Sequence, residues 1–490
     1  MERASTRRIV VIGGGAAGLS TALALLDTCR SRGGVVAPPG GDSSDGVAVT
    51  VLEAREQIGG RIGSEQHGGF SVETGPATLQ ENAPGLLELV ARLGLQKELV
   101  VSDERANRRY LWRAGRLRRL PGKPQEVLTS DALSLPARLR LLTEPLVPPR
   151  RALPAAGTGD AAPLPEETVA QFCRRRLGTR ITAEVVDPFI SGIYAGDIEQ
   201  LSMQSAMPRL VAMEAQHGSL LKALKSARRE SAGTGPRQLP RLCGFRHGLG
   251  QLVGALGHSV IEGGGEIRVA TRVHGLHRDG GGFRVVTEGA ELAADRVVLA
   301  LPPPEAAALA AGLDDELRGL YQSIPMAPVV AITLGWPREQ VPHPLDGFGF
   351  LVPRQAGLRL LGTLFMTSIL PDCEQAPRGQ VILRAMYGGA HDPSICELDD
   401  GALLDLVRRD LKTTLGVLAE PRFIHIQRWP RAIEQYLVGH AARIAALEAR
   451  ALTLGGLYPV GAALRGVSVP DVLRQGQALG ARLGAELVPG

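Results

Sequence analysis

Lysine and aromatic residues are scarce in this 490-residue chain. Five lysines accompany a large excess of arginine, and aromatic side chains make up 4% of the residues. No basic run alternates with aromatics, which is the pattern typical of many RNA- and DNA-binding proteins. Since the net charge is also a modest +5, we expect no nucleic-acid partner.

The cysteines are too few and too dispersed for a disulfide framework. There are five, an odd number, and no two form a C-x-x-C pair. The ten histidines are scattered and form no H-x-x-x-H motif, so we expect no metal site. This cysteine usage is compatible with a reducing compartment.

Long uncharged runs are also rare. The one of spanning length, residues 9–26, contains a triple glycine and changes from strand to helix periodicity. Such a run suits a buried βα unit better than a membrane-spanning helix. It has no signal-peptide cleavage pattern, and we expect no segment to cross a membrane.

Glycine, in contrast, is abundant, and its first cluster predicts a dinucleotide site. A β-branched strand at residues 9–12 leads into G-x-G-x-x-G and then a helix. In this motif Gly13 permits the tight turn, Gly15 lets the backbone approach a pyrophosphate, and Gly18 lets the helix pack on its strand. Glu53 ends a second predicted strand, where its carboxylate could accept hydrogen bonds from ribose hydroxyls. The residues assigned to this role are Gly13, Gly14, Gly15, Ala16, Ala17, Gly18 and Glu53.

The distance from Gly18 to Glu53 exceeds the usual spacing of about 20 residues. Residues 30–46 account for the excess, because they are rich in Gly, Pro and Ser. We interpret them as a surface insertion between the first helix and the second strand.

Helical patterns dominate residues 96–225, after a predicted hairpin with its turn at Ala114 and Gly115. We predict helices at 83–93, 133–142, 167–177 and 219–229, a loop at 145–165, and strands at 266–273 and 283–287.

The chain resembles the flavin-dependent amine oxidase superfamily. The glycine motif, Glu53 and Gly59-Gly60-Arg61 carry this resemblance, together with a glycine-rich C-terminal segment. Within the superfamily it resembles the oxygen-dependent protoporphyrinogen IX oxidases nearly end to end. The matching stretches are residues 70–76, 108–110, 187–197, 345–353, 435–440 and 466–471, and the most specific reads Gly-Ile-Tyr-Ala-Gly-Asp at 192–197.

This resemblance implies a noncovalent FAD and a porphyrinogen substrate. The implied reaction takes six electrons from protoporphyrinogen IX in tetrapyrrole biosynthesis and turns three O2 into three H2O2. No catalytic acid or base is implied, because hydride moves directly to the flavin. Family members bind membranes peripherally and often form homodimers. The implied location is cytoplasmic and peripherally membrane-associated, or an organelle in a eukaryote.

The expected fold is α/β, or α+β overall. It comprises a Rossmann-like FAD-binding domain of separated segments, a mixed α/β substrate domain and an inserted, mainly helical, membrane-associating domain. The expected bounds are 1–95, 240–304 and 426–490 for the FAD-binding domain, 96–239 for the helical domain and 305–425 for the substrate domain.

The resemblance also implies roles for individual residues. Further cofactor contacts are expected from Gly60, Arg61, Gly75, Pro76, Ala77, Thr78, Val273, Ala462, Val467, Ser468 and Val469. Arg109 matches a position that pairs with a propionate, Gly192 one where the backbone approaches the tetrapyrrole, and Phe348 one where a ring stacks on it. The chain departs from the family at Ala77, where asparagine is frequent, and at Leu464, where an aromatic is usual.

Three alternatives stay open. Coproporphyrinogen III oxidation on the same scaffold would need more cationic anchors, because that substrate has four propionates. An amine oxidase would frame its substrate with aromatic side chains near the flavin, whereas position 464 holds a leucine where an aromatic residue is usual. A flavin-binding protein without turnover is the third, and the departures at Ala77 and Leu464 favour it.

Overall fold

The structure is a computed structural model that describes residues 6–38, 46–122, 124–127, 129–150, 165–230 and 241–488. The predicted insertion at 30–46 and the predicted loop at 145–165 lie partly outside these residues. Within the described chain, no helix combines the length and the hydropathy that a bilayer crossing requires.

A five-stranded parallel sheet forms the centre of the predicted nucleotide-binding region. β1 lies between β2 and β14, while β10 and β20 form the edges. Every residue of β2 is buried, and its unbroken apolar run suits a strand covered on both faces. The sheet combines strands from separated stretches of the chain: β1 (Arg7–Ile12), β2 (Val47–Leu52), β10 (Glu266–Arg268), β14 (Arg296–Leu299) and β20 (Leu457–Pro459).

Two long helices pack closely on one face of this sheet. They are α1 (Ala16–Ser31) and α16 (Val469–Leu487). Gly476, Gly480 and Gly484 recur every fourth residue on the contacting face of α16, and a Cβ at Gly480 would lie 2.2 Å from the carbonyl oxygen of Thr21. Glycine at these positions therefore permits the two backbones to approach.

A seven-stranded sheet forms the second large layer, in the order β19-β15-β18-β17-β16-β7-β8. All its neighbours pair antiparallel except β7 and β16. Its strands are β7 (Arg109–Arg113), β8 (Arg116–Arg119), β15 (Met326–Pro337), β16 (Gly349–Leu351), β17 (Leu360–Phe365), β18 (Gln380–Gly388) and β19 (Phe423–Glu434).

The structure confirms the predicted hairpin, with positive φ angles of 50° at Ala114 and 74° at Gly115. The hairpin is part of the seven-stranded sheet rather than of the helical segment in which we placed it. Sequence periodicity identifies a strand but does not reveal its partner. The division into three domains itself stays a prediction.

The remaining strands form small sheets. They are β3 (Ser64–His67) with β4 (Phe70–Glu73); β5 (Leu79–Gln80), β6 (Leu99–Val101) and β9 (Leu242–Phe245); and β11 (Val273–Asp279), β12 (Gly282–Thr287) and β13 (Glu291–Ala294). The prediction of one continuous strand at 266–273 is wrong. These residues are divided between β10 and β11, because Ala270 has a left-handed φ of 47° and interrupts the extended backbone between them.

The other helices cover the sheets or form the helical segment. They are α2 (Leu86–Arg92), α3 (Leu135–Leu142), α4 (Val169–Leu177), α5 (Thr179–Ile181), α6 (Asp187–Tyr194), α7 (Met203–Ala206), α8 (Pro208–His217), α9 (Leu220–Glu230), α10 (Gly250–Glu262), α11 (Pro303–Ala310), α12 (Asp315–Gln322), α13 (Met366–Ile369), α14 (Asp400–Leu415) and α15 (His440–Thr453). The four predicted helices are present but begin one to three residues later than predicted.

A buried ion pair stabilises the helical segment. Arg176 of α4 contacts Glu144 at 2.5 Å, and both side chains are fully buried. Glu144 also accepts hydrogen bonds from the backbone N–H of Leu220 and from the hydroxyl of Ser219. These contacts join α4, the start of α9 and the 3₁₀ turn Glu144–Leu146 after α3 into one packed unit.

Candidate active site

The loop between β1 and α1 leaves an open space at the helix N-terminus. Gly13 and Gly18 are required by the turn itself: a Cβ on them would lie 2.4 Å from the oxygen of Ala300 and 2.0 Å from the oxygen of Gly13. At Gly15 the nearest atoms to a Cβ are 3.9 Å away, which leaves room for a group outside the chain. No side chain caps α1, and no acid lies in its first turn, so its N–H groups at Ala16 and Ala17 suit an anion.

Glu53 lies directly beside this loop. Its carboxylate is buried and accepts hydrogen bonds from the backbone N–H groups of Gly14 and Arg55, both at 2.9 Å. These contacts hold a carboxylate next to the glycine turn, the position we expect for a ribose contact. The start of β11 also lies near Glu53. Thr271, two residues before Val273, donates its backbone N–H to the Glu53 carbonyl.

The second glycine cluster lies against the first. Gly59 donates its N–H to the carbonyl of Gly14 at 2.8 Å, and a Cβ on Gly60 would lie 3.4 Å from the Cα of Gly15. Gly60 has a φ of +61°, a conformation that favours glycine. The two clusters that are separate in the sequence thus form one concave surface.

Arg61 forms a bidentate ion pair that the sequence did not reveal. Its guanidinium donates to both oxygens of Glu434, at 3.0 and 2.9 Å. The Glu434 side chain is only 3% exposed, so the arginine compensates a buried charge. The cofactor contact expected of Arg61 would have to use the guanidinium N–H donors that do not bond to Glu434.

The segment from Gly75 to Thr78 continues along the same surface. A Cβ on Gly75 would lie 1.8 Å from the carbonyl oxygen of Arg61, so the backbone segments around these two residues are in direct contact. The preceding carbonyl, of Thr74, accepts a hydrogen bond of 2.7 Å from the indole of Trp429. Pro76, Ala77 and Thr78 are half-buried, and Ala77 packs in the same apolar cluster as Phe348.

The C-terminal segment closes this surface from another side. A Cβ on Gly461 would lie 3.8 Å from the Cβ of Ala17 in the first turn of α1. The Ala462 carbonyl accepts a hydrogen bond from the Tyr436 hydroxyl, and Val467 packs in the cluster that contains Tyr436. Ser468 caps α16, with Val469 buried behind it.

Leu464, the departure from the family pattern, is buried at 5% exposure and is therefore a core residue. Its carbonyl is 3.1 Å from Nε2 of His440, and burial lowers the pKa of that imidazole to about 4. His440 is thus neutral at physiological pH and donates this bond.

Arg109 and Phe348, which are far apart in the sequence, contact each other. The Arg109 guanidinium lies 5.3 Å from the centre of the Phe348 ring, in a cation–π geometry. Within the described residues no acid pairs with Arg109. Its side chain is partly exposed to solvent and is therefore accessible to a ligand. Desolvation by the surrounding protein lowers the pKa of this guanidinium. An unpaired, partly desolvated arginine is suited to bind a carboxylate.

Its neighbour Arg108 is different. It donates to Asp346 at 2.7 Å, and the Tyr110 hydroxyl donates to the same carboxylate. Two adjacent arginines therefore have different roles, one in an internal ion pair and one free to take a ligand.

Gly192 faces the strand next to Arg109. A Cβ on Gly192 would lie 3.1 Å from Cδ2 of Leu351 in β16, whose first residue pairs with Arg109. Phe189 and Ile193, on the same helix, are 41% and 40% exposed. The three predicted substrate residues thus lie around one short strand, β16: Arg109 is on the paired strand β7, Phe348 directly precedes β16, and Gly192 is on α6 against it. The exposed apolar side chains of α6 are next to them.

Sequence reasoning missed Glu434 and Trp429, which lie on β19 and contact the segment from Arg61 to Thr74. Neither belongs to a motif, so no local signal could have identified them. The residues present fit a flavin dinucleotide, because an uncapped helix N-terminus, the buried carboxylate of Glu53 and a glycine-lined concavity adjoin one another.

Comparison with known proteins agrees with this geometry. A family model described as flavin containing amine oxidoreductase matches residues 16–481. The chain is 32% identical over 447 residues to the chloroplastic protoporphyrinogen oxidase of Nicotiana tabacum, covering 85% of this chain and 78% of that protein. It is 28% identical over 491 residues to the coproporphyrinogen III oxidase of Bacillus subtilis (strain 168), covering 96% and 97%.

The fold is similar to the crystal structure of a proposed protoporphyrinogen oxidase from Exiguobacterium sp. The TM-score is 0.80 at 24% identity, over 98% of this chain and 99% of that one. This likeness supports a mixed α/β fold of the flavin amine oxidase type. The chain therefore belongs to the flavin containing amine oxidoreductase family and is a flavin-dependent oxidoreductase.

Proposed function

We propose that this protein is an FAD-dependent, oxygen-dependent protoporphyrinogen IX oxidase. Its relative in Nicotiana tabacum is named a protoporphyrinogen oxidase and is 32% identical over most of both chains. The observation that carries the proposal is the contact between Arg109 and Phe348 beside the predicted flavin segment, by which we mean residues 61–78. It offers one cation for a carboxylate and one ring for an apolar macrocycle.

A noncovalently bound flavin, held by the glycine loop and Glu53, would supply hydride acceptance and electron transfer to dioxygen. The protein's residues position the reactants. Arg109 holds a propionate, Phe348 stacks on the macrocycle, and the small Gly192 lets the backbone approach it. Apolar neighbours exclude water, and no side chain needs to move a proton at the reacting carbon.

The number of free cations favours a substrate with two propionates over one with four. Of the adjacent arginines, Arg108 is bound to Asp346 at 2.7 Å and Arg105 to Asp103 at 3.1 Å, which leaves Arg109. Coproporphyrinogen III oxidation is the second candidate, because the relative in Bacillus subtilis aligns over 97% of its length.

Steady-state kinetics separate the two candidates. The two porphyrinogens are prepared without air, mixed with the flavin-loaded protein, and followed by porphyrin fluorescence and peroxide yield on admission of air. We expect a higher kcat/KM for protoporphyrinogen IX. Faster turnover of the substrate with four propionates would replace our choice, and no peroxide with either would indicate a flavin protein of another kind.

We also propose that the helical segment lies on a membrane surface and that the protein is cytoplasmic and peripherally bound. The support is a row of exposed leucines on and after α3, interspersed with arginines. Leu135, Leu139, Leu142 and Leu146 are 64%, 57%, 53% and 81% exposed. A homodimer stays a prediction from the family resemblance.

Vesicle flotation tests this surface. Protein with Leu139→Glu and Leu146→Glu is expected to lose binding to vesicles that contain anionic lipid. Leu452→Glu is the control, because Leu452 is 77% exposed on α15, far along the chain from this segment. Equal flotation of the double variant and the control would reject the proposed surface.

A further inference from the structure

Three potential metal ligands meet outside the residues assigned to the flavin and the porphyrinogen. Glu65 and His67 lie on β3, and His425 lies near the start of β19. Nε2 of His67 is 2.8 Å and Nε2 of His425 is 3.3 Å from the same oxygen of Glu65. One ligand atom from each residue lies within 4.8 Å of the other two.

These separations fit one metal ion. Zinc binds histidine nitrogen at about 2.0–2.1 Å and carboxylate oxygen at about 2.0–2.2 Å, so neighbouring ligand atoms lie about 3 Å apart around it. The contacts of Glu65 to both histidines are already near that value. A small rotation of side chains that reach solvent would complete the three-ligand arrangement, and water would fill the open position.

The two ring nitrogens of His425 differ in their surroundings. Nε2 faces Glu65 at 3.3 Å, whereas Nδ1 is buried and has no hydrogen-bond partner among the described residues. Nε2 is therefore the nitrogen of this ring that a ligand at the cluster would reach.

Aromatic packing holds the cluster in place. The His67 ring stacks on Phe423 with centres 6.4 Å apart, and Phe423 stacks on Phe70 at 4.5 Å. His67 and Phe70 pair across the β3–β4 hairpin, while Phe423 and His425 belong to β19. The ligands thus come from two elements that already pack together.

We propose that Glu65, His67 and His425 form a binding site for a Zn²⁺-like divalent transition metal, the choice of ion that two imidazoles and one carboxylate indicate. The ion joins the β3–β4 hairpin to β19. Further along, the same strand carries the Trp429 and Glu434 contacts to the flavin segment. Metal binding therefore stabilises the junction between that segment and the large sheet, without contacting the reacting atoms.

Metal titration of the flavin-loaded, tag-free protein tests the proposal. After treatment with chelator, the protein is titrated with Zn²⁺ in a calorimeter, and bound zinc is measured after gel filtration. We expect one equivalent per chain and a higher melting temperature with zinc. Absence of saturable binding would overturn the proposal.

Variants locate the site. Glu65→Gln, His67→Gln and His425→Gln are each expected to weaken zinc binding by about tenfold or more. His258→Gln is the matched control, because His258 and Glu262 form a 3.1 Å histidine–carboxylate pair on α10 that has no third potential ligand among the residues the structure describes. His67 is 47% exposed on its side chain, so its variant is expected to fold even if that of His425 does not. Undiminished binding to folded His67→Gln would refute the assignment.

Discussion

At the scale of the residue, glycines of one motif serve distinct purposes. Gly13 and Gly18 are required by the fold, because a side chain on either would overlap a backbone oxygen. Gly15 is not required by the fold, because the protein itself leaves the space beside it open, and we predict that the cofactor fills this space. The sequence motif assigns these roles in outline, and the structure separates them by distance.

We expect Gly15→Val to abolish flavin retention and leave folding intact. Its φ of −82° suits any L-residue, and the new side chain fills the space at the α1 N-terminus. Visible absorbance and circular dichroism of the purified variant measure the two effects. Gly18→Val is the contrasting variant and should fail to fold. A yellow Gly15→Val protein with the normal flavin content would contradict the cofactor assignment.

Arg109→Ala should raise the KM for porphyrinogen while flavin content holds. Loss of a charged hydrogen bond costs about 1.5–3 kcal/mol, which corresponds to about a ten- to hundredfold change. Arg108→Ala is the control, since Arg108 is bound to Asp346, and its KM should stay near that of the wild type. Equal KM values for wild type and Arg109→Ala would remove this arginine from the site.

Glu73→Gln should change how stability depends on pH. Burial raises the pKa of Glu73 to about 7 from the ordinary glutamate value of 4.5, despite hydrogen bonds from Leu249 N–H and Ser64 and the nearby charge of Arg384. Between these values the folded state retains a proton that the unfolded state has released. The wild type therefore loses stability as pH rises through this window, by up to about 3 kcal/mol.

The test is chemical unfolding of both proteins at about pH 5 and about pH 7.5. The variant lacks the titrating group, so its stability should fall less between these two conditions. Cys373, whose thiol pKa is also raised by burial, titrates above this range in both proteins. Identical pH dependence would mean that Glu73 ionises normally.

At the scale of the element, local chemistry predicted helices and turns but not their partners. Thr168 and Gln171 form a complete capping box at the start of α4, close to the predicted start of that helix. The start of α2 moved to Leu86 because Gly85 takes a φ of +77°. The β7–β8 hairpin joins its sheet by pairing with β16, a strand more than 200 residues later in the chain. No local pattern predicts that partner.

The glycine face of α16 gives an element-scale prediction. Gly480→Ala should destabilise the protein by about 2 kcal/mol, because the new methyl would overlap the backbone of α1. The same change at Gly254 on α10, where a Cβ meets no atom within 4 Å, should stabilise it by about 0.5–1 kcal/mol. Thermal unfolding of both variants measures this difference, and a neutral Gly480→Ala would contradict the close packing of α1 and α16.

At the scale of the whole molecule, β19 connects the two large parts of the site. It pairs with β15 in the seven-stranded sheet, and its side chains Trp429 and Glu434 hold Thr74 and Arg61 of the flavin segment. Arg109 on β7 belongs to the same sheet, Phe348 directly precedes its strand β16, and Gly192 on α6 packs against Leu351 of β16. One sheet therefore positions the predicted substrate residues relative to the predicted cofactor surface.

The sequence by itself determined the dinucleotide loop, the acid that follows β2 and the family, because these depend on residue types at short, regular spacings. Only the tertiary structure brought Arg109 onto Phe348, paired Arg61 with Glu434 and placed His425 beside Glu65. Each of these contacts joins residues that are distant in the chain. Strand pairing and packing bring them together, and local periodicity carries no information about either partner.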